Sequence, residues 1–266
     1  KASAYIKRQY ESIGLQPLSS GYEQPFKALL RGEEDSVESS NIAGFIKGSY
    51  HPEKYIVIGA HYDHVGIRNG EIYNGADDNA SGVGGLLAMA DFFSKNTPEH
   101  SVLFLAFDAE ESGLQGAEFF VNNPMIDLQD IALMINMDMI SRNDRGEIYA
   151  CGTHHYPYLT EFLKKAERKK EQVALRLGHD KPEDGHDDWT AASDHAPFHQ
   201  ADIPFVYFGV EDHEHYHKPT DDYETIKQDF YLSCIELILQ SVRYLDDELG
   251  IVERRGKGDI MDDIRK

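Results

Sequence analysis

The chain has 266 residues, 26 basic and 47 acidic, for a formal net charge of −21. That balance repels polyanions and so excludes nucleic acid as a partner, and no run approaches the ~18 consecutive apolar residues of a membrane span. With 41% hydrophobic residues, no Pro/Gly/Ser-rich linker and no recurring period, residues 1–266 read as one domain with a charged tail at 251–266.

Lys1–Leu15 reads as an amphipathic helix, with Ala4, Ile6 and Tyr10 among charges. It begins abruptly and without Met, so the expectation is that an upstream segment, an export signal included, has been removed. Residues 19–40 read as a surface hairpin or loop, Asn41–Lys47 as a strand and Gly48–Glu53 as a turn. Tyr55–Ala60 is a short apolar run rich in β-branched residues, the pattern of a buried strand. A long loop is expected from His61 to Gly75, then a helix over Gly82–Phe93 with Ser81 as its cap. Ser101–Phe107, Ile131–Met137, Glu147–Cys151 and Ile203–Phe208 read as further strands. Helices are expected from Gly116, through Leu159–Ala166, and along the stripe Phe230, Cys234, Leu237, Ile238, Val242 and Leu245. Residues 178–194 read as polar loop, and residues 178–188 suggest no role. Cys151 and Cys234 fit no metal or redox spacing and read as two buried thiols, with a disulfide as the alternative.

Apolar strands alternating with helices predict an α/β fold with three αβα layers around a central, mostly parallel mixed sheet. Sites in such sheets form beyond the carboxyl ends of the strands. The chemistry-bearing residues obey that rule. His61 follows one strand, Glu110 and Glu111 another, and Asp138 a third.

Thirteen histidines among many carboxylates suit a divalent metal. His61 leaving a buried strand can bind a metal with one ring nitrogen, and Asp63, two residues on, can orient it; His64 is a weaker candidate. In Asn74–Gly82, one of Asp77 and Asp78 can bridge two cations at a helix N-terminus, although the same residues suit a plain turn. Of the pair Glu110 and Glu111, one can coordinate a metal and the other take a proton from water. Asp138, between methionines, needs a metal or a salt bridge, for which Arg142 is the candidate. Histidines 213, 215 and 217 share a face if extended, and their spacing does not choose among them. Ser193, Asp194 and His195 are adjacent, and no nucleophile elbow frames the serine, which argues against a serine mechanism.

Taken in order from about residue 41 to 225, these motifs resemble those of the M28 family of co-catalytic zinc aminopeptidases. The resemblance implies a metallo-exopeptidase acting on peptides and holding two zinc ions, with manganese or cobalt as possible substitutes. Carried over residue by residue, it implies His61 and Asp138 as ligands of one zinc, Glu111 and His217 as ligands of the other, and Asp78 bridging both. It implies Glu110 as general base, Tyr216 as a group at the oxyanion, Asp63 behind His61, and Asp194 and His195 near the site without ligating. It further implies a cis Asp78–Asn79 bond and an exported, periplasmic or extracellular protein. The competing readings are a single-zinc glutaminyl cyclase, a carboxypeptidase or dipeptidase with Arg142 and Arg145 holding the substrate carboxylate, and a non-catalytic interaction domain. The sequence leaves side-chain preference and oligomeric state open.

Overall fold

The computed structural model describes residues 1–32, 34–167 and 173–255, the last eight as backbone alone. The chain runs α1 (Ala2–Ile13), β1 (Gln16–Pro17), β2 (Glu23–Ala28), β3 (Val37–Ile46), β4 (His51–His61), β5 (Gly66–Arg68) and β6 (Glu71–Tyr73). Then come α2 (Gly82–Lys95), β7 (His100–Phe107), α3 (Gln115–Asn122), β8 (Ile131–Met137), β9 (Glu147–Cys151) and α4 (Leu159–Glu167). It ends with β10 (Ala174–Leu177), α5 (His195–Gln200), β11 (Phe205–Gly209) and α6 (Gln228–Arg255).

The main sheet has the order β1-β3-β7-β4-β8-β11-β9-β10, with β2 also paired to β3. Its four central strands, β7, β4, β8 and β11, are mutually parallel. β3 flanks them antiparallel on one side and β9 on the other.

Side chains alternate along each strand and so divide the core in two. Ile56, Ile58, Phe104, Ile135 and Phe208 face one layer, where they meet Ile6 of α1, Leu86 of α2, Leu163 of α4 and Leu237 of α6. Val57, Leu103, Leu105 and Phe205 face the other, against Phe120 of α3 and Phe198 of α5. This is the three-layer αβα arrangement expected, with an antiparallel share at both flanks that the apolar runs did not disclose.

The registers set the site. His61 lies beside Phe107, the last residue of β7, and Gly59 beside Asn136. The strand ends that carry His61, the Glu110–Glu111 pair and Asp138 are therefore level with one another.

Some local expectations change. The stretch from His61 to Gly75 is not all loop: β5 and β6 form a two-stranded hairpin. Asn69 and Gly70 at its tip both have positive φ, 54° and 82°. Asn-Gly is the standard signal for that turn. β4 begins at His51, inside the expected turn, and β10 was not expected. Ser81 does not cap α2; Asn79 Oδ1 accepts the Gly82 N–H at 2.9 Å instead. α6 continues to Arg255, and the rest of the charged tail lies outside the described residues. Both cysteines are free and buried.

One buried carboxylate ties the C-terminal helix to the sheet. Asp246 of α6 accepts the backbone N–H of Glu99 and of His100, each at 2.8 Å, and faces His100 Nδ1 at 3.0 Å. Asp246→Ala orphans these donors beside the start of β7. We expect a loss of about 2–4 kcal/mol in urea unfolding of the metal-free protein; a change below about 0.5 kcal/mol would remove this tie from the account.

Candidate metal centre

Four loops at the carboxyl edge of the parallel strands supply the site. His61 is the last residue of β4, and the Asp63 carboxylate below it accepts the backbone N–H of Glu110 at 3.0 Å and of Glu111 at 3.2 Å. The loop after β7 is thus pinned with both glutamates in place. The acceptor nearest His61 Nδ1 is the backbone carbonyl of Asp63, at 3.2 Å; the Asp63 carboxylate is 3.7 Å away. Asp63 therefore acts through the glutamate loop more than through the His61 ring.

Asp78 lies on a single wide turn before α2, and its peptide bond to Asn79 is cis. Asp221 fixes this turn: its carboxylate accepts the N–H of Asp77 (3.0 and 3.1 Å) and of Asp78 (3.1 Å). Asp77 points elsewhere, taking hydrogen bonds from the Ser141 N–H and hydroxyl at 2.8 and 2.7 Å and facing His213 Nε2 at 2.9 Å.

The two oxygens of Asp78 face two different groups. Oδ1 is 3.4 Å from His61 Nε2, which is also 3.2 Å from Asp138 Oδ1 and 4.0 Å from Glu110 Oε2. Oδ2 is 3.1 Å from His217 Nε2, which is also 3.2 Å from Glu111 Oε2. His64 joins this second group, with Nδ1 2.8 Å from Glu111 Oε1 and 3.8 Å from Asp78 Oδ2. All the residues that sequence reasoning placed as ligands thus meet, in two clusters joined by one aspartate.

The remaining expectations divide. Asp138 is held by Ser193, whose hydroxyl donates to Oδ2 at 2.8 Å, while Arg142 pairs with Asp144 and Glu214 at 3.8 and 3.9 Å. The alternative of an Arg142–Asp138 bridge is absent among the described residues, where Asp138 is satisfied inside the site. Ser193 therefore serves Asp138, and His195 contacts the Trp189 carbonyl at 2.9 Å, so these residues form no triad. Asp194 is buried beside the site with both oxygens unpartnered. Residues 213–217 form a turn in which His217 has φ 52°, so the three histidines do not share a face. His215 instead contacts Thr220 Oγ1 at 2.9 Å. Tyr216 stacks on the His217 ring, centroids 3.9 Å apart.

The clusters open into a cleft of about 290 Å³. Its walls include Trp189, Tyr207 and Leu114, and Arg31 is the arginine among them. Arg142 and Arg145 do not line it. The segment 178–188 also finds a structural part. His179 stacks flat on Trp189 at 3.8 Å, and Asp180 accepts the N–H of Gly152 and His154, each at 2.9 Å. The sequence motifs contain Asp221 and Ser193 without disclosing what they hold, and Trp189 carries no signal of its place at the cleft. Asp221 closes the very motif that carries His217, so its signal was present.

Charge balance describes what the clusters lack. Burial alone would lower the His61 pKa, yet Asp138 and Glu110 drive it well above the usual value. Asp78 and Glu111 hold His217 up at about 10. Burial pushes Glu110 up to about 9, with Asp138, Asp194 and Asp63 adding to it. Against the opposing effect of burial, contacts with His217 and His64 hold Glu111 down at about 2. Bare, the site retains protons to offset buried carboxylates. Divalent cations would do the same work, and the His and carboxylate donors fit zinc. His64 adds a direct sign. Both its ring nitrogens and Glu111 Oε1 are buried without a hydrogen bond, despite their proximity.

The model of peptidase family M28 matches residues 41–242, and this chain belongs to that family. It is 28% identical over 218 residues to the aminopeptidase YwaD of Bacillus subtilis, covering 77% of this chain and 44% of that protein. It superposes on a zinc aminopeptidase from Bacillus subtilis with a TM-score of 0.63 and 28% identity, covering 77% of this chain and 50% of the other. A Bacteroides thetaiotaomicron glutaminyl cyclase matches at a TM-score of 0.72 but 19% identity, over 91% and 87% of the chains, which shows the shared fold alone. The chain spans between 24% and 44% of the first four curated relatives' length.

The raised groups fix a pH dependence for the metal-free protein. His217 gains stabilising contacts that are complete below its unfolded value of 6.5 and lost as pH rises through about 10. Glu110, held near 9 by burial, acts in the same direction, because the folded state binds the extra proton. Metal-free protein should therefore unfold at lower temperature at pH 9.5 than at pH 6.5 by calorimetry, and a flat or rising trend would contradict these assignments.

Proposed function

We propose that this M28 peptidase removes N-terminal residues from peptides, working with two zinc ions held on either side of Asp78. The observation that carries the reading is the division of the Asp78 carboxylate, one oxygen facing His61 and the other His217. In this reading His61, Asp138 and Asp78 hold one ion, and Asp78, Glu111 and His217 hold the other. When bound, the ions polarise the scissile carbonyl and acidify the attacking water.

The chain's own residues do the rest. Glu110, whose Oε2 stands 4.0 Å from His61 Nε2 in the first cluster, takes the proton from water and returns it to the leaving amine. Tyr216, stacked on His217 at the cleft, donates its hydroxyl to the developing oxyanion. Asp212 and the neighbouring carboxylates favour the substrate's α-ammonium group. Asp63 and Ser193 hold Glu110 and Asp138 in position, and Asp194 and His195 lie buried nearby without ligating.

Two separate donor groups favour this reading over a single-zinc cyclase. The arginines outside the cleft remove the argument for a carboxypeptidase that rested on Arg142 and Arg145. No helix among the described residues is long and apolar enough to cross a membrane. Export belongs to the same proposal on family likeness, and cell fractionation tests it.

Aminoacyl amides should be hydrolysed, their N-blocked counterparts should not, and a chelator should abolish turnover. Pyroglutamate formation without amide hydrolysis would replace this reading with the cyclase. Glu110→Gln should keep both metals by elemental analysis and lose about 10²–10⁴-fold in kcat; near-normal kcat with full metal would remove Glu110 from the role of base.

A further inference from the structure

We propose that His64 is a direct ligand of the second metal position, giving it two imidazoles and two carboxylates from the protein. The inference rests on the two-metal reading above and adds a ligand that the five-residue set does not contain.

The geometry points to ligation in three ways. First, Nδ1 of His64, a carboxylate oxygen of Asp78 and one of Glu111 all lie within 4.8 Å of one another, close enough to share one ion. The His217 ring stands opposite, 5.9 Å from the His64 ring centroid to centroid. Second, the His64 side chain is 8% exposed, yet neither ring nitrogen has a hydrogen-bond partner. A buried imidazole is ordinarily satisfied. Here Nδ1 stands 2.8 Å from Glu111 Oε1 and yet neither atom makes a hydrogen bond, so both are left open to a shared ion. Third, the ring is seated against glycine backbone. Gly75 has φ 64°, and a Cβ there would fall 2.6 Å from His64 Cγ and 2.2 Å from the Asp78 carbonyl oxygen. A side chain at position 75 would therefore collide with the His64 ring, which packs against bare glycine backbone.

The consequence is an asymmetric pair. The first position has His61, Asp138 and a shared oxygen of Asp78. The second has His64, His217, Glu111 and the other oxygen, so it has less room for exchangeable ligands.

The test reads metal, not turnover. Apo-protein is titrated with zinc against a competing chelator, in wild type, His64→Ala and His64→Gln. Two equivalents are expected in wild type; fewer would defeat the two-metal reading itself, before His64 is in question. In His64→Ala one equivalent should weaken more than about 100-fold, beyond what loss of an outer hydrogen-bond partner brings, with the other unchanged. His64→Gln, able to donate to Glu111 but not to replace an imidazole, should not recover it; recovery would overturn ligation. Because either variant can perturb folding, ¹¹³Cd-loaded wild type labelled with ¹⁵N-histidine supplies an independent readout. A one-bond coupling between cadmium and Nδ1 of His64 is expected, and its absence overturns the proposal.

Discussion

The site depends on the carboxylate of Asp78 being shared. Five carboxylates, those of Asp78, Glu110, Glu111, Asp138 and Asp194, converge in a buried space with three imidazoles. Like charges so close repel unless positive charge lies between them. Asp78 faces both clusters, one oxygen toward His61 and the other toward His217, and its backbone is held by Asp221, which accepts the amides of Asp77 and Asp78. The loop after β11 thus supplies both the histidine that faces one oxygen of Asp78 and the carboxylate that fixes its main chain. Segments more than a hundred residues apart in sequence are joined by this arrangement.

The sheet explains why those residues meet at all. Parallel strands end on the same edge, and equal registers make their last residues level. Function then rests on the loops, and the strands fix only where each loop departs.

Much of this was legible in the sequence because it has a period or a motif. The central strands were apolar on both faces, which only a doubly covered sheet explains. The candidate ligands fell just after strand ends and so declared themselves. What stayed hidden has no local signature. β1 and β10 are too short for a pattern, and the antiparallel flanks depend on connections rather than composition. Asp138 reads as a group that needs a metal or, failing that, a salt bridge to Arg142, and the sequence does not show that Ser193, 55 residues away, donates to it. Asp63 was read as serving a side chain and in fact takes two backbone amides, a use that residue type alone does not reveal. The Asn69–Gly70 hairpin is different: its turn signal stands in the sequence, inside a long polar stretch with short flanking strands.

The loop that carries Glu110 and Glu111 is also gripped from its far end. Gln115 clasps the N–H and carbonyl of Leu29 at 2.9 and 2.8 Å, and Ser112 Oγ accepts the Arg31 N–H at 3.0 Å. With Asp63 beneath and the β2–β3 hairpin alongside, the turn is braced from two sides. In the proposed reading of Glu110 as the base, a proton carrier mounted in this way is preorganised, and little reorganisation is left to oppose the barrier crossing. The tip of the β2–β3 hairpin and the Glu110–Glu111 loop are therefore one mechanical unit, so a length change at that tip would be felt at Glu110.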